Sequence, residues 1–244
     1  MKRILVVLGI VFGYTLVVEC ASVGAPGFLP ERGRYIIGVE YNSVKGRNLN
    51  DPELGTLSLD AGGEGYIGKI VYGLSDRISL VAKVGAPELE LWDPNASAAY
   101  NHASNLGWGL GIRTILFEDR KFGVSLGAAA QYFTFEPKET IDGRTAEWSE
   151  WDGSLYMCLV EIVTEAKRVV DPSVLTSSSL LLGVRASDAK VDWTYGSQSG
   201  QLKAADNFGY FVGLDFVFGN SYSLGFEARF SDEKAYTSVL GFKF

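Results

Sequence analysis

The sequence has little of the side-chain chemistry on which metal and nucleophilic sites depend. One histidine and two cysteines occur in 244 residues, which excludes a disulfide scaffold and a zinc site built from cysteines. Lys and Arg number 22 against 29 Asp and Glu, for a formal charge of −7, so recognition of nucleic acid through a basic face is not expected. We predict no metal and no cofactor. The sequence specifies architecture and location better than a molecular task.

The N-terminal segment is typical of a secretory signal peptide. Met1, Lys2 and Arg3 form a short positive region, and residues 4–18 are almost wholly apolar. Such a stretch is shorter than the ~20 residues with which a helix spans a bilayer. We predict cleavage after residue 22, which leaves 20 basic and 28 acidic residues and a net charge of −8. Lipidation of Cys20 stays open as an alternative, although Glu19 is not the small residue that a lipoprotein pattern has there.

Beyond the leader, predicted over residues 23–32, the apolar residues recur at every second position. In residues 208–218 one face is bulky and apolar, whereas the other carries glycine and Asp215. A period of two predicts strands. The side chains of the second face are too small for the water-exposed side of a soluble β-sandwich. We therefore predict an all-β fold over residues 33–244, a transmembrane antiparallel up-and-down β-barrel with its bulky face toward lipid. An ordinary all-β core rich in aromatic residues is the alternative.

The alternating segments number about ten, with eight or twelve strands still possible. Short turns between strands are expected on the periplasmic side, and longer polar stretches, over residues 43–62, 87–105, 137–149 and 187–206, are expected as external loops. Acidic residues gather around the third stretch and are predicted to be solvated there; they are Glu136, Glu139, Asp142, Glu147, Glu150 and Asp152. The predicted strands cover residues 34–42, 64–74, 78–86, 105–117, 121–135, 151–163, 178–187, 207–218, 222–231 and 235–244.

The C-terminal segment resembles the closing strand of bacterial outer-membrane β-barrels, in which alternating hydrophobic residues end in phenylalanine. The residues that carry this resemblance are Tyr236, Leu240, Phe242 and Phe244. The resemblance implies an outer-membrane location, contact with membrane lipid and lipopolysaccharide, and recognition of this strand by the barrel-assembly machinery. It implies no activity, and any ligand at the cell surface is unknown.

Alternation also places single charges on the inward face. In a narrow barrel such charges must pair or remain hydrated, and ten strands leave room for little beyond side chains. The favoured prediction is a structural charge network that plugs the lumen of an envelope-structural or surface-interaction protein; the alternative is a narrow passage for small solutes. The predicted lumen charges are Glu40, Lys69, Lys83, Arg113, Arg185, Asp215, Glu227, Arg229 and Lys243.

Enzymatic activity is not predicted. Outer-membrane proteases of the omptin family are also ten-stranded and pair a histidine with acidic residues at the external rim. The single histidine here, His102, lies between Asn101 and Ala103, without the Asp-x-Asp and Asp-x-His spacings of that family. No residues are therefore assigned a catalytic role.

Overall fold

The computed structural model describes residues 29–52, 58–92, 99–103, 106–136, 144–162, 174–195, 197–219 and 221–244. The predicted signal peptide, with Cys20, and most of the leader lie outside these ranges. Among the described residues there is no helix of the length and apolarity that a membrane crossing requires. Their strands are β1 (Tyr35–Asn50), β2 (Ser58–Ser75), β3 (Ile78–Gly85), β4 (Glu88–Trp92), β5 (Ala99–Ala103), β6 (Gly107–Asp119), β7 (Val124–Phe135), β8 (Arg144–Ile162), β9 (Leu175–Tyr195), β10 (Gln198–Ala204), β11 (Phe208–Phe218), β12 (Tyr222–Phe230) and β13 (Lys234–Lys243).

Ten of these strands close into an antiparallel ring. The order around the barrel is β1, β2, β3, β6, β7, β8, β9, β11, β12 and β13. The last strand returns to the first, with Ile36 opposite Lys243 and Val44 opposite Ala235. Closure removes the unpaired sheet edges that a bilayer does not tolerate. The predicted all-β barrel of about ten strands is confirmed.

The long polar connections differ from the prediction, because much of their length is strand rather than loop. β1 and β2 remain paired out to Asn50 and Ser58, and β8 and β9 out to Arg144 and Tyr195. The β4–β5 hairpin pairs with the start of β2, while β10 joins the end of β9 to the end of β1. The sheet therefore continues past the level at which the short strands β11, β12 and β13 end.

The two faces of β9 exchange character along its length. In its first half the outward side chains are apolar and exposed, with Leu180, Leu182 and Val184 at 36–44% exposure. From Asp188 onward the outward positions are Asp188, Lys190 and Asp192, whereas the inward positions Ala189 and Val191 are fully buried. Lipid is the favourable surrounding for the apolar outward face of the first half, and water is the favourable surrounding for the charged outward face from Asp188 onward. The exchange marks the outer boundary of the membrane.

Aromatic side chains form two belts on the outside of the barrel. At the end of the barrel where β1 begins and β13 ends, Tyr35 stacks on Phe244 with ring centroids 5.4 Å apart. At the opposite end Tyr132 contacts both Trp108 and Trp151, at 5.8 and 4.8 Å between centroids. Amphipathic rings at both rims of an apolar surface are typical of interfacial girdles. The closed ring, the apolar exterior and these belts make the molecule an outer-membrane β-barrel.

Candidate functional site

The lumen of the barrel is the candidate functional site, because buried charges concentrate there. Eight of the nine predicted lumen charges are at most 8% exposed: Glu40, Lys69, Lys83, Arg113, Arg185, Asp215, Glu227 and Arg229. Lys243 does not join them. It lies at the periplasmic end of β13, where its Nζ is 3.1 Å from the exposed carboxylate of Glu31.

Glu40 organises the membrane-level part of the lumen. Its two carboxylate oxygens each accept from one ammonium group, Lys69 at 3.0 Å and Lys83 at 3.0 Å. The Asn42 Nδ2 donates to the same carboxylate at 2.6 Å. β1, β2 and β3 are consecutive in the ring, so their inward residues at one level converge. One buried anion is thereby shared by two buried cations.

Arg185 is the centre of a second, more external group. Its Nη2 lies 2.6 Å from Asp152 and 3.0 Å from Glu150, both on β8. From the turn between β12 and β13, Glu233 also pairs with it. Arg47 of β1 reaches the same acids, at 2.6 Å from Glu150 and 3.4 Å from Glu233. Guanidinium groups suit this position because their planar set of donors can satisfy several carboxylates at once.

Two carboxylates around Arg185, those of Asp232 and Glu233, come from the turn between β12 and β13. The Ser231–Glu233 turn begins at Ser231 with a φ of 86°, a left-handed conformation that is rare outside glycine. It folds into the lumen, where Glu233 pairs with Arg229 at 3.0 Å and Asp232 accepts from Ser187 at 2.9 Å. A Cβ at Gly209 on β11 would overlap the Asp232 carboxylate, so glycine at this position is required for the close approach. Burial raises the pKa of the Asp232 carboxyl, and the nearby Arg185 opposes that rise.

A chain of hydrogen bonds joins the two groups along the neighbouring strands β1, β13 and β12. The Thr237 hydroxyl donates to Asn42 at 2.6 Å and accepts from Arg229 at 3.4 Å. The lumen charges described so far, with Arg113, Asp215 and Glu227, comprise six cations and seven carboxylates; they are Arg47, Lys69, Lys83, Arg113, Arg185, Arg229, Glu40, Glu150, Asp152, Asp215, Glu227, Asp232 and Glu233. The near balance of charge is what allows so many ionised groups to be buried together. We call this set the lumen network.

Five members of the lumen network were missed by the sequence reasoning. Arg47 falls in a stretch interpreted as an external loop, and Asp232 and Glu233 fall in the short connection between the last two predicted strands. Glu150 and Asp152 were grouped with the acids expected to be solvated, although Asp152 lies within the predicted strand 151–163. The prediction that Glu150 and Asp152 are solvated is wrong, because β8 begins at Arg144 and its alternation carries both residues inward. The signal was present: positions 150, 152, 154, 156 and 158 continue one uninterrupted face. Of the remaining acids in that prediction, Glu139 and Asp142 lie outside the described residues.

At the periplasmic end of the lumen network the interior is lined by small residues, among them Gly38, Gly225 and Gly241. A cavity there leaves about 30 Å³ for the centres of water molecules and is bordered by Lys69, Arg113 and Asp215, which is room for one or two waters. Glycines allow large side chains to lie over the adjacent strand: a Cβ at Gly127 would overlap the ring of its cross-strand partner Tyr156, and one at Gly183 the ring of its partner Phe211. The glycine-rich inner face predicted from the sequence thus accommodates aromatic side chains as well as charges.

On the external side the interior becomes apolar. Leu49, Leu89, Val191 and Leu202 belong to one buried cluster that also contains Phe133, Phe135 and Trp148. The residues come from β1, β4, β9, β10, β7 and β8, the strands that extend beyond the membrane. The extracellular part of the barrel therefore has the polar outside and apolar inside of a water-soluble protein, directly above the charged lumen.

Within the described ranges, no group of three or more His, Cys, Asp or Glu side chains is arranged to hold a metal ion. The backbone of His102 lies in β5 opposite Leu89. The residues of the C-terminal signature lie on β13 or directly after it. Tyr236, Leu240 and Phe244 are about half exposed on the outer surface, and Phe242 contacts Tyr222 edge-on with ring centroids 5.2 Å apart.

No protein-family model matches the chain, and no curated protein matches it. Several solved structures do. The translocator domain of the autotransporter NalP from Neisseria meningitidis is 11% identical, with 100% of this chain and 93% of that chain covered and a TM-score of 0.45. The outer membrane protein OprG from Pseudomonas aeruginosa is 9% identical, with coverages of 88% and 98% and a TM-score of 0.41. An outer membrane channel from Pseudomonas putida F1 is 12% identical, with coverages of 92% and 100% and a TM-score of 0.46. Similarity at this level does not establish a function.

Proposed function

We propose that this outer-membrane protein is a closed barrel with an envelope-structural or surface-interaction role, and that the lumen network is its plug. The observation that carries the proposal is the continuity of the network. Ion pairs and hydrogen bonds run from Lys69 and Glu40 through Asn42, Thr237 and Arg229 to Glu233 and Arg185. These contacts follow neighbouring strands around the wall, and one further ion pair spans the ring. Arg47 of β1 lies 2.6 Å from Glu150 of β8, five strands away in the ring of ten, so the network crosses the lumen there.

The width of the barrel supports the same function. A ring of eight strands is filled by its own side chains, and ten strands add little, whereas diffusion pores have about 16. Here the interior holds three arginines at 1–2% exposure. Displacing a paired buried charge leaves its partner uncompensated, which costs about 3–5 kcal/mol. A solute that entered would have to displace several such pairs.

Surface and assembly partners follow from the exterior. The apolar belt would contact outer-membrane lipid and lipopolysaccharide, and β13 would be read by the barrel-assembly machinery during insertion. We assign no enzymatic activity to the chain.

Conductance in planar bilayers tests the plug. We expect the purified protein to insert without a reproducible unitary current. The Asp232→Ala, Glu233→Ala double variant should conduct, because it withdraws the turn's two carboxylates and leaves Arg47, Arg185 and Arg229 to repel one another. The matched control is Glu118→Ala, Asp119→Ala, which removes the same charge from the end of β6 and should stay silent. A unitary current from the unaltered protein would contradict the proposal.

The alternative function is a narrow passage for small solutes. The water-sized cavity beside Arg113 and Asp215 favours it, since that part of the lumen can be hydrated. If the unaltered protein carries a current and Arg229→Ala changes its ion selectivity, this alternative is the better description.

A further inference from the structure

A bulge in β1 turns two consecutive positions toward the outside of the barrel. Val44 and Arg47 are both buried in the interior, at 3% and 1% exposure, and two residues rather than one lie between them. The pairing of β1 with both of its neighbouring strands shifts register at this point. A β-bulge re-aims side chains in this way. Lys45 and Gly46 are therefore both placed on the outer face, and Lys45 is exposed.

Lys234, the first residue of β13, completes a basic surface around Gly46. It lies directly opposite Gly46 in the β1–β13 pairing, so the two residues belong to the same face of the sheet, and the Lys234 side chain is exposed. The space beside Gly46 is open, because a Cβ added there would meet no atom within 4 Å. We call Lys45, Gly46 and Lys234 the rim patch: two ammonium-bearing side chains that flank a gap without a side chain.

The rim patch lies at the level where lipid gives way to water. Lys234 is two positions beyond Tyr236, a half-exposed aromatic residue near the external end of β13. Lys45 is ten residues beyond Tyr35, which lies at the periplasmic rim. At about 3.4 Å per residue and a tilt of about 40°, that separation is a height of about 26 Å, and the apolar band of a barrel is about 25 Å tall. Both ammonium groups are therefore at the depth of the outer headgroups.

The charge of the rim patch is not neutralised by the protein. Neither of its lysines forms an ion pair within the described part of the chain. Two other outward charges near the external boundary do have partners: Glu64 accepts from Tyr41 at 2.6 Å, and Lys190 pairs with Asp188 at 3.1 Å. Neighbouring ammonium groups repel each other unless an anion lies between them. A phosphate group suits this position, because lysine binds phosphate as a compact point charge and the phosphate oxygens can accept from both lysines.

We propose that the rim patch binds a phosphate group of an outer-leaflet lipid, with Lys45 and Lys234 donating from either side and Gly46 leaving room between them. The phosphorylated lipid of that leaflet is lipopolysaccharide, whose lipid A anchor carries phosphates at headgroup depth. The inference rests on the proposed contact with lipopolysaccharide, to which it assigns residues, and it does not depend on the plug. A lipid bound across β1 and β13 would also brace the seam at which the ring closes.

Native mass spectrometry of the full protein in detergent, titrated with diphosphorylated lipid A, tests the site. We expect saturable binding that the Lys45→Ala, Lys234→Ala double variant weakens about thirtyfold, since each basic side chain near an anionic lipid surface contributes roughly fivefold. The matched control is Arg120→Ala, Lys121→Ala, which removes the same charge from the exposed turn after β6 at the opposite rim and should bind as the unaltered protein does. Dephosphorylated lipid A should bind the unaltered protein as weakly as the double variant binds the phosphorylated form.

A second variant keeps both lysines and closes the gap between them. Gly46→Glu places a carboxylate in the open space and should weaken lipid A binding roughly fivefold or more, because it offsets at least one ammonium group. Asn50→Glu adds the same charge farther out on β1, where Asn50 is exposed, and should bind normally. Inorganic phosphate at matched ionic strength should displace little lipid A.

Five results would each overturn the rim patch as a lipid phosphate site. They are full binding by the double variant, full binding by Gly46→Glu, equal binding of dephosphorylated lipid A, an equal loss in the opposite-rim control, and displacement by inorganic phosphate, which would identify free phosphate as the ligand. Lipid A that stays bound to the double variant refutes the site and leaves the lipopolysaccharide contact standing, whereas no binding of any lipid A refutes both. Conductance enters none of these results, so the plug is tested separately.

Discussion

The pairing of single charged residues decides whether the buried charges of this lumen destabilise the barrel or stabilise it. Arg185 is 1% exposed and has four carboxylates within reach, from β8 and from the turn before β13. A lone guanidinium at that depth would be strongly unfavourable, and a fully paired one costs little. The lumen network is therefore sensitive to the loss of any one acid that several arginines share.

Glu233 is the acid whose loss should matter most. It pairs with Arg47, Arg185 and Arg229, so Glu233→Gln leaves three cations with one carboxylate fewer. We expect the free energy of unfolding to fall by about 3–5 kcal/mol. Guanidinium titration of the barrel folded in liposomes measures it.

The control for that experiment is Glu118→Gln. Glu118 makes an ion pair of similar length, 3.1 Å to Arg120, but Arg120 is 85% exposed, and such pairs contribute about 0–1 kcal/mol. Equal losses in the two variants would show that Glu233 stabilises the barrel no more than a surface acid does.

Alternation of residue character was enough to identify the inward charges on the membrane-level strands, but not the acids that pair with Arg185. Glu40, Lys69 and Lys83 were found because each interrupts an otherwise small or apolar face. Glu233 carries no such signal, since it lies in a three-residue turn whose direction depends on the left-handed Ser231. Arg47 and Glu150 were hidden for another reason: they lie on strand extensions that look polar enough to be loops.

At the scale of strands, the exchange of faces along β9 explains why those extensions look like loops. Outside the membrane a strand shows water its polar side, so the local sequence of residues 187–195 is polar at every other position. The inward residues that alternate with these polar positions, Ala189 and Val191, are small. Their alternation is therefore a weaker sequence signal than that of Leu180 and Leu182. The pattern of this segment is set by the position at which the surroundings of the strand change from lipid to water.

A charge placed on either side of this boundary should have different consequences. Leu182→Lys puts an ammonium group in the middle of the lipid-facing surface and should destabilise the barrel by about 2–4 kcal/mol. Asp192→Lys, on the same outward face beyond the boundary, should change stability by less than about 0.5 kcal/mol. Unfolding titrations in liposomes compare the two variants. A similar cost at both positions would mean that residue 192 also faces lipid.

For the whole molecule, closure depends on the contact between the first and last strands. Tyr35 and Phe244 exchange backbone hydrogen bonds, with the Phe244 N donating at 2.9 Å and the Tyr35 N at 3.4 Å, and their rings stack. The terminal phenylalanine thus seals the ring at its periplasmic rim. The sequence resemblance implied a role for this residue in assembly, and the structure adds a role in closure.

We expect Phe244→Ala to reduce the fraction of protein that reaches the folded outer-membrane form severalfold. The heat-modifiable band on a detergent gel of outer-membrane fractions measures that fraction. Phe122→Ala is the control, because Phe122 is 72% exposed in the turn before β7 and seals nothing. Normal insertion of Phe244→Ala would count against both roles.

The short strand β12 determines which bilayer thickness matches the barrel. Its nine residues, Tyr222–Phe230, tilted by about 40°, cover a height of about 23 Å. Beyond its external end the wall turns polar, so the barrel cannot sink deeper without drawing charged positions such as Asp188 into hydrocarbon. The depth at which the barrel lies in a bilayer is therefore fixed. A thick membrane must thin around it, and a thin one, such as the bacterial outer membrane, receives it without deformation.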